Sequence, residues 1–374
     1  MQKRLIMSVS NDLYTDTRVD KMCNTLTQMG FHVTVVGCRF KNSPKLKVRD
    51  YQVRRIRLFF KKSFLFYAEY NFKLFFYLLF HQMEVLTAND LDSLLPNIIV
   101  AKLRKKKLVY DSHEYFCQML SIIHRPFVQH FWHQIERYCI PKVQYAITVS
   151  QSIADAYHKE YGIHFNVVRN IPPAHAVTIT ETRHSLGLPE DKFIVLMQGN
   201  DISSNRGSEE LLEAIPYVSE KAILLFVGNG ETVPYLKLRT KELNLEERVI
   251  FVGRVTPDRL FNYTSLSDVG VSLEKSTSLN QAYSLPNKIF EYIKAGIPLL
   301  ISNLPERAAI ISQYNIGEIA QDFTPKNIAN LLNKMIDNPI LCQQFKANCS
   351  TAANELNWEN EEKVVKSVYE NLLS

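Results

Sequence analysis

Short apolar runs alternate with amphipathic segments along almost the whole chain. Residues 4–10 and 32–37 form two such runs, and the segment between them carries apolar side chains at helical spacing and ends at Gly30. This order of strand, helix and strand predicts a parallel β-sheet with crossover helices. The same alternation resumes at residue 193, so the sequence predicts the α/β fold class for the chain as a whole.

The alternation is interrupted at Ile171-Pro-Pro173, where no periodicity remains. Adjacent prolines favour a linker over a helix or a strand. A chain of 374 residues is also long for a single hydrophobic core. We therefore predict a first domain at residues 1–173 and a second domain at residues 174–355. We expect the final helix, at residues 356–374, to pack back on the first domain.

The net charge of +6 conceals a difference between the two halves of the sequence. Residues 1–175 contain 25 Lys and Arg against 13 Asp and Glu, whereas the remainder contains 19 against 25. A basic half favours contact with an anionic surface, and nucleic acid and phospholipid both satisfy that condition. The sequence contains no recognisable nucleic-acid-binding module, so we expect no nucleic-acid partner.

A predicted strand at 53–60 is followed by an aromatic helix at 65–80 that is apolar around nearly its whole circumference. Such a helix is typical of burial on two sides or of partial insertion into lipid. Because basic residues precede it, we predict contact with an anionic membrane surface. The alternative is a core helix preceded by solvated basic residues. The residues predicted to contact the membrane are Arg54, Arg55, Arg57, Lys61, Lys62, Phe66 and Tyr67.

The sequence does not predict a membrane-spanning helix, because Glu69, Asn71 and Lys73 interrupt the short aromatic segment. The chain begins without a signal-peptide pattern, since Met1-Gln-Lys-Arg4 leads directly into a strand. The six cysteines form no C-x-x-C pair, which favours reduced thiols. We expect a cytoplasmic protein that is peripheral on the inner face of the cytoplasmic membrane.

Polar residues follow the predicted strands at 84–89 and 107–114. Ligands of open parallel sheets bind beyond the carboxyl ends of the strands, where Asp90, His113 and Glu114 lie. A histidine at such a position can act as a general base or hold a sugar hydroxyl. The alternative is a loop histidine that is bonded to the backbone.

The loop after the first strand contains Asp16 and Arg18 but lacks the G-x-G-x-x-G pattern. A dinucleotide site is therefore not expected there. The two charged residues could bind an acceptor or a phosphate group. The alternative is that they cap the following helix and are solvated.

In the second half, a helix is predicted to begin near Pro286 and to end at Gly296. Lys288 lies in its first turn, where a cation opposes the helix dipole, so an anionic ligand would explain it. Glu291 lies three residues further on and could accept hydrogen bonds from sugar hydroxyls. Arg206, in the loop after the strand at 193–200, could hold a diphosphate together with Lys288. The alternative is an ordinary surface Lys–Glu pair and a solvated loop arginine.

Several short segments, taken in order, carry a family resemblance. They are Asn89-Asp-Leu-Asp-Ser-Leu-Leu-Pro96, Leu108-Val-Tyr-Asp-Ser-His-Glu114, Ile147-Thr-Val-Ser-Gln-Ser-Ile153, Val168-Arg-Asn170, Asn205-Arg-Gly207 and Ser284-Leu-Pro-Asn-Lys-Ile-Phe-Glu-Tyr292. Their order and spacing, over essentially the whole chain, resemble those of the retaining glycosyltransferases of family 4, the glycosyl transferases group 1. The resemblance implies the GT-B fold, in which two Rossmann-like, doubly wound parallel-sheet domains face each other across a cleft.

The resemblance also implies roles for individual residues. His113 and Glu291 would be the catalytic residues, with His113 near the transferred sugar and Glu291 on the ribose hydroxyls. Because cations neutralise the leaving diphosphate, no metal and no cofactor beyond a UDP-, GDP- or TDP-sugar donor are expected. The residues implied to bind the donor are Arg206, Lys288, Glu291, Ser284, Leu285, Asn287, Gly228 and Arg254. The residues implied to bind the acceptor are Asp16, Arg18, Asp90 and Glu114.

The chain departs from the family pattern at three places. Tyr283 stands where the first of two family glutamates would be, the first loop is Ser10-Asn-Asp-Leu-Tyr14 instead of Gly-rich, and a lysine shortly after Arg206 is missing. We predict a retaining glycosyltransferase that moves a sugar to a glycan or lipid-linked acceptor in bacterial surface polysaccharide synthesis. The alternative is a catalytically silent subunit that binds a nucleotide or a sugar.

Overall fold

The computed structural model describes residues 3–174 and 178–373, which divide into two compact units. The first unit contains the described residues of Met1–Asn170, Ser278–Ser284 and Glu361–Ser374. The second unit contains those of Ile171–Thr277 and Leu285–Asn360. The first unit thus includes two segments that come from the later part of the sequence.

The first unit is built on a seven-stranded sheet in which all the paired strands are parallel. The strands are β1 Arg4–Ser8, β2 His32–Arg39, β3 Gln52–Arg57, β4 Val85–Asn89, β5 Lys107–Ser112, β6 Tyr145–Thr148 and β7 Phe165–Val167, in the order β3-β2-β1-β4-β5-β6-β7. The helices of this part of the chain are α1 Thr17–Gln28, α2 Ser63–Phe80, α3 Leu91–Arg104, α4 Leu120–Ile123, α5 Pro126–Cys139 and α6 Gln151–Tyr161.

The second unit contains a six-stranded sheet, again with parallel pairing throughout. Its strands are β8 Phe193–Gly199, β9 Ala222–Gly228, β10 Val249–Gly253, β11 Val269–Ser272, β12 Leu299–Ser302 and β13 Gly317–Ala320, in the order β10-β9-β8-β11-β12-β13. The helices of residues 193–373 are α7 Ser208–Ala214, α8 Val233–Glu242, α9 Pro257–Ser265, α10 Leu279–Tyr283, α11 Asn287–Ala295, α12 Pro305–Tyr314, α13 Pro325–Ile336, α14 Pro339–Glu355 and α15 Trp358–Leu373. Short 3-10 helices lie at Phe116–Gln118, Ile140–Lys142, Ser204–Arg206 and Ile215–Tyr217.

The central strands of the second sheet are buried on both faces. Along β9, Phe226 packs in one hydrophobic cluster while its neighbours Leu225 and Val227 pack in another. Because successive side chains of a strand point to opposite faces, both faces of the sheet are covered. This is why the strands appear in the sequence as continuous apolar runs instead of an alternating pattern.

The last helix is anchored in the first unit by buried apolar and polar contacts. Tyr369 is fully buried, its hydroxyl lies 2.7 Å from Thr87 Oγ1, and its ring meets Phe31 edge-on. Near the start of this helix, Glu361 pairs with the guanidinium of Arg169, at 2.6 Å. Residues 361–373 therefore contribute buried side chains to the first unit.

The predicted fold class, with two Rossmann-like parallel sheets, is confirmed. The strand predicted at 53–60 instead ends at Arg57, because the N–H groups of Phe59 and Phe60 donate to the Glu69 carboxylate and not to a neighbouring strand. In the described ranges, no helix combines the length and the apolar character needed to cross a membrane. All six cysteines lie within those ranges as buried free thiols.

Candidate functional site

The centre of the second sheet is the place where the strand order reverses, between β8 and β11. In doubly wound sheets, ligands bind beyond the carboxyl ends of the strands at this point. There, Gly199 at the end of β8 lies beside Gly228 at the end of β9. A Cβ atom on Gly228 would lie 1.9 Å from the Gly199 carbonyl oxygen, and the φ of Gly228 is +138°. Only glycine therefore allows the two strand ends to approach this closely.

Three cations converge on Glu274, a buried residue that follows β11. Lys288 Nζ lies 3.0 Å and Arg206 Nη1 3.5 Å from the same oxygen, Oε1. Arg307 Nη1 lies 3.5 Å from the other oxygen, Oε2, which also accepts a hydrogen bond from Ser272 Oγ at 2.6 Å. The structure thus brings Arg206 and Lys288 together, as the diphosphate hypothesis requires.

The charges of this cluster do not balance. Burial alone would raise the pKa of Glu274, but the Lys288 and Arg307 cations outweigh it and hold that pKa at about 2. Glu274 is therefore a full negative charge at neutral pH, and three cations face it. Asp201 Oδ2 adds a second carboxylate, 3.9 Å from Arg206 Nε. The three cations still outnumber these two carboxylates, and the excess positive charge lies near the carboxyl end of β11, in a position suited to an anionic ligand.

Glu291 is held in place from the side of the sheet. The Gln198 side chain, at the end of β8, donates from Nε2 to Glu291 Oε2 at 2.6 Å and accepts from Thr264 Oγ1 at 2.6 Å. Burial raises the pKa of Glu291, although Gln198 and Lys288 act in the opposite direction. A fixed carboxyl group one turn after Lys288 is placed to accept hydrogen bonds from hydroxyl groups.

Three residues of this cluster were missed by the sequence analysis: Glu274, Arg307 and Gln198. Gln198 could have been found, because it lies at the carboxyl end of the strand predicted at 193–200. Glu274 depends on the order of the strands in the sheet. Arg307 offers no such signal. It lies in the first turn of α12, and its burial depends on the pairing of β12 with β11.

The other residues implied to bind a donor are more dispersed. Arg254 and Asn287 are exposed, and Leu285 is partly buried against the core of the second unit. Ser284 belongs to the first unit, where its hydroxyl donates to the Gln281 carbonyl oxygen at 3.0 Å. In the described part of the chain, none of these four residues forms a hydrogen bond or an ion pair with the Glu274 carboxylate.

In the first unit, His113 lies between two carboxylates. Its Nε2 is 3.3 Å from Asp111 Oδ2 and its Nδ1 is 3.6 Å from Asp90 Oδ2, while its backbone N–H donates to Asp90 Oδ1 at 2.8 Å. Burial alone would lower the pKa of His113, but Asp90 and Asp111 together raise it to about 9. The imidazole is therefore a protonated hydrogen-bond donor at neutral pH. It is not a free base.

Arg18 and Asp16 both make structural contacts within the first unit. The Arg18 guanidinium is buried in a paired contact with the two carboxylate oxygens of Asp111, at 3.1 and 2.6 Å, and donates to the Val168 carbonyl oxygen at 2.7 Å. Asp16 caps α1 by accepting from the backbone N–H of Val19 at 2.9 Å. The alternative of capping therefore holds for Asp16.

Glu114 and the loop after β5 are clamped by Asn280 of α10. The Asn280 side chain donates to Glu114 Oε2 at 2.6 Å and accepts from the backbone N–H of Tyr115 at 2.8 Å. Burial raises the pKa of Glu114, and Asn280 opposes that shift. Tyr283, at the end of the same helix, stacks on the Tyr115 ring with centroids 6.4 Å apart. The residue at the position of the missing family glutamate thus packs in the first unit.

The structure revises the residues predicted to contact a membrane. Phe66 is buried, in contact with Tyr70 and Phe40, and the partly buried Tyr67 meets Trp132 edge-on. Both therefore face the core, because their side of α2 is the one that covers the sheet. The basic residues divide into the exposed Arg54, Arg57, Lys61 and Lys62 and the partly buried Arg55, which donates to the Pro44 carbonyl oxygen.

One group of side chains has a composition that could hold a metal ion. Within the described part of the chain, Cys117, His133 and Glu136 bring one ligand atom each to within 4.8 Å of one another. Burial raises the pKa of Glu136 and lowers that of His133, and Tyr161 donates to Glu136 Oε1 at 2.8 Å. Cys117 and Glu136 are both buried in the first unit, where Cys117 belongs to a hydrophobic cluster.

Comparison with known proteins identifies both halves of the sequence. Residues 178–351 match the family model described as Glycosyl transferases group 1, and residues 15–175 match that of Glycosyltransferase Family 4. Spore coat protein SA of Bacillus subtilis (strain 168) is 28% identical over 201 residues, which is 51% of this chain and 52% of that protein. The lipopolysaccharide core biosynthesis glycosyltransferase LpsD of Rhizobium meliloti (strain 1021) is 26% identical over 184 residues, which is 49% and 48% of the two chains.

The chain spans about half the length of the curated relatives it matches. Similarity to solved structures extends further. The Anabaena protein HepE, solved in complex with UDP and glucose, superposes with a TM-score of 0.75 at 14% identity and covers 99% of both chains. At that level of identity the similarity establishes the fold, which is GT-B.

Proposed function

The chain belongs to the family 4 glycosyltransferases, the glycosyl transferases group 1, and from this premise we propose that it transfers a sugar from a nucleotide-sugar to an acceptor hydroxyl. The observation that carries the proposal is the contact of Arg206 and Lys288 with the same oxygen of Glu274. With Arg307 on the other oxygen and Asp201 beside Arg206, three cations face two carboxylates. A diphosphate that enters this cluster would meet the side chains of Arg206 and Lys288, and phosphate oxygens form strong charge-assisted hydrogen bonds.

The proposed reaction breaks the bond between the anomeric carbon of the sugar and the diphosphate oxygen. The bonding electrons leave with the diphosphate, whose growing negative charge is stabilised by Arg206 and Lys288. The acceptor oxygen forms the new bond with retention of configuration, and its proton passes to the departing diphosphate. Because side-chain cations provide the stabilisation, the proposed step needs no metal ion. Glu291, fixed by Gln198, would accept hydrogen bonds from the ribose hydroxyls.

His113 is proposed to bind a hydroxyl of the transferred sugar as a hydrogen-bond donor. The sequence allowed this role or that of a general base. A pKa of about 9 supports the donor role, since the proton remains on the ring at neutral pH. Asp90 and Asp111 would then keep the imidazole oriented and charged.

The proposed pathway is bacterial surface polysaccharide synthesis, with a glycan or a lipid-linked molecule as acceptor. LpsD, which matches about half of the chain, is a lipopolysaccharide core biosynthesis glycosyltransferase. HepE was solved with UDP, which makes UDP-sugars the first donors to test, followed by GDP- and TDP-sugars.

A second candidate is a catalytically silent subunit that binds a nucleotide or a nucleotide-sugar. The observation that favours it is Tyr283, which replaces a family glutamate and stacks on Tyr115 in the first unit. This candidate shares the cation cluster with the first but predicts binding without turnover.

Calorimetric titration and a hydrolysis assay with a panel of UDP-, GDP- and TDP-sugars test both candidates. We expect at least one donor to bind and to be hydrolysed, and Lys288→Met to weaken its binding at least about tenfold. Lys334→Met is the matched control, because Lys334 pairs with Glu318 outside the cluster. Binding without hydrolysis or transfer would favour the silent subunit. Unchanged donor affinity in a folded Lys288→Met variant would refute the assigned site.

A further inference from the structure

Helix α2 is apolar on two opposite faces, and the first unit covers only one of them. Phe66, Tyr70, Leu74 and Leu78 are buried at intervals of four residues. The opposite face carries Leu65, Phe72, Phe76 and Phe80, of which Phe72 is 66% and Phe80 74% exposed. An amphipathic helix of a globular protein normally presents polar residues on that side.

The uncovered apolar area continues onto neighbouring elements. Phe131 of α5 meets Phe64 of α2 edge-on with ring centroids 5.6 Å apart, and Phe127, one turn earlier on α5, is 93% exposed. On another side, the loop before α2 is held against the helix where Phe59 and Phe60 donate to Glu69. We call this region the aromatic surface; its members are Phe59, Phe60, Phe64, Leu65, Phe72, Phe76, Phe80, Phe127 and Phe131.

A strong positive charge accompanies the aromatic surface. Residues 52–82 contain six Lys and Arg and one acidic residue, Glu69, which pairs with Lys73 at 2.7 Å. Residues 120–142 contain three Lys and Arg and one acidic residue, the buried Glu136. Lys61 and Lys62 at the start of α2, and Arg125 just before α5, are exposed. Apart from Glu69, which Lys73 neutralises, the charged residues named here beside the exposed rings are basic.

We propose that the aromatic surface is a docking site for an anionic lipid bilayer, with α2 lying along the plane of the membrane. Exposed phenylalanines can enter the boundary between headgroups and acyl chains, while neighbouring lysines and arginines meet lipid phosphates. Helix α2 has 18 residues and the described chain offers no membrane-spanning helix, so this contact is interfacial.

Charge decides between a bilayer and a second copy of the chain as the occupant. A second copy would present the same excess of basic residues, among them the exposed Lys61, Lys62 and Arg125, and so would not match the charge of this surface. A bilayer with anionic headgroups supplies both the apolar depth and the opposite charge. A contiguous exposed area of this kind is uncommon on a protein that stays monomeric in water.

Co-sedimentation of the full chain with vesicles tests the proposal. We expect binding to vesicles of phosphatidylcholine and phosphatidylglycerol in equal parts, and much weaker binding to phosphatidylcholine alone. Combined Phe72→Ser, Phe76→Ser and Phe80→Ser substitutions should lower the partition coefficient at least about tenfold, since each removes an apolar ring that enters the lipid. The matched control is Tyr217→Ser with Tyr235→Ser, which removes two exposed rings from the second unit.

A second variant keeps the test decisive if the phenylalanine substitutions disturb folding. Lys61→Ser with Lys62→Ser leaves the rings in place and should weaken binding to the anionic vesicles, as should high salt. Wild-type protein that remains in the supernatant with both kinds of vesicle would overturn the proposal. So would equal binding of wild type and the lysine variant. A lipid-free dimer that the phenylalanine variant abolishes would assign the surface to self-association instead.

Discussion

The charged state of His113 makes a prediction about how stability depends on pH. Asp90 and Asp111 raise the pKa of His113 from 6.5 to about 9 in the folded protein, against the effect of burial. A histidine whose pKa is raised by folding stabilises the native state fully below its unfolded pKa, and this contribution is lost as the pH rises through the folded value. The relevant window therefore extends from about pH 6.5 to somewhat above pH 9.

The magnitude follows from the two pKa values. A rise from 6.5 to about 9 corresponds to about 3 kcal/mol of native-state stabilisation near neutral pH. His113 is mostly buried, with 17% of its side chain exposed, so solvent screening removes little of this value. Replacement by Gln removes the titrating group. The difference in unfolding free energy between wild type and His113→Gln should shrink by about 3 kcal/mol from pH 6 to pH 10.

The assay is denaturant unfolding of both proteins across this range, followed by the fluorescence of the two buried tryptophans, Trp132 in the first unit and Trp358. Asp92 titrates in the same range, since burial and the neighbouring Asp90 raise its pKa to about 7. Asp92 is present in both proteins, but the His113 cation lowers its pKa in wild type only, so the comparison is read above pH 8 as well as over the whole range. His124→Gln, at an exposed position, is the control and should follow wild type. Parallel pH profiles for wild type and His113→Gln would refute a charged His113.

Two further predictions concern the second unit. Glu274→Gln should destabilise the ligand-free protein by about 3 to 5 kcal/mol, because it leaves its buried cationic partners uncompensated. It should also enlarge the rise in melting temperature caused by a nucleoside diphosphate. Glu318→Gln, at a surface pair, is the control, and an unchanged ligand response in Glu274→Gln would contradict the reasoning. Gly270→Ala should cost about 1 to 3 kcal/mol in a melting experiment, because its Cβ would lie 2.4 Å from the Tyr292 ring. Gly199→Ala, whose Cβ would have no neighbour closer than 3.8 Å, should cost clearly less, and equal losses would contradict the packing argument.

The meeting of Arg206 and Lys288 could be predicted from the sequence because both follow from local patterns. Arg206 lies in a loop after a recognisable strand, and Lys288 lies in the first turn of a helix. Parallel strands bring such positions to the same edge of a sheet. Arg307 and Glu274 follow from the sheet order instead. Only the adjacency of β8, β11 and β12 brings their charges together, and that adjacency is a property of the whole sheet.

The errors of the sequence analysis have the same origin. Arg18 resembles a solvated loop charge until β5 places Asp111, 93 positions away, against its guanidinium. Phe66 and Phe72 are equivalent in a helix that is apolar all round, and only the position of the sheet decides which of them is buried. The periodicity of apolar residues predicts that a segment is helical. Which face of an all-apolar helix is buried depends on contacts with residues that are remote in sequence.

The division of the chain into units has a practical consequence for protein engineering. Helix α10 and residues 361–373 belong to the unit formed by the beginning of the sequence, where Asn280 holds Glu114 and Tyr369 fills the core beside Thr87. A fragment cut after Pro173 would lack both segments and would expose the apolar sites that they fill. Chimeras that exchange halves between relatives should therefore transplant 278–284 and 361–373 together with residues 1–170, so that each hybrid inherits a complete interior.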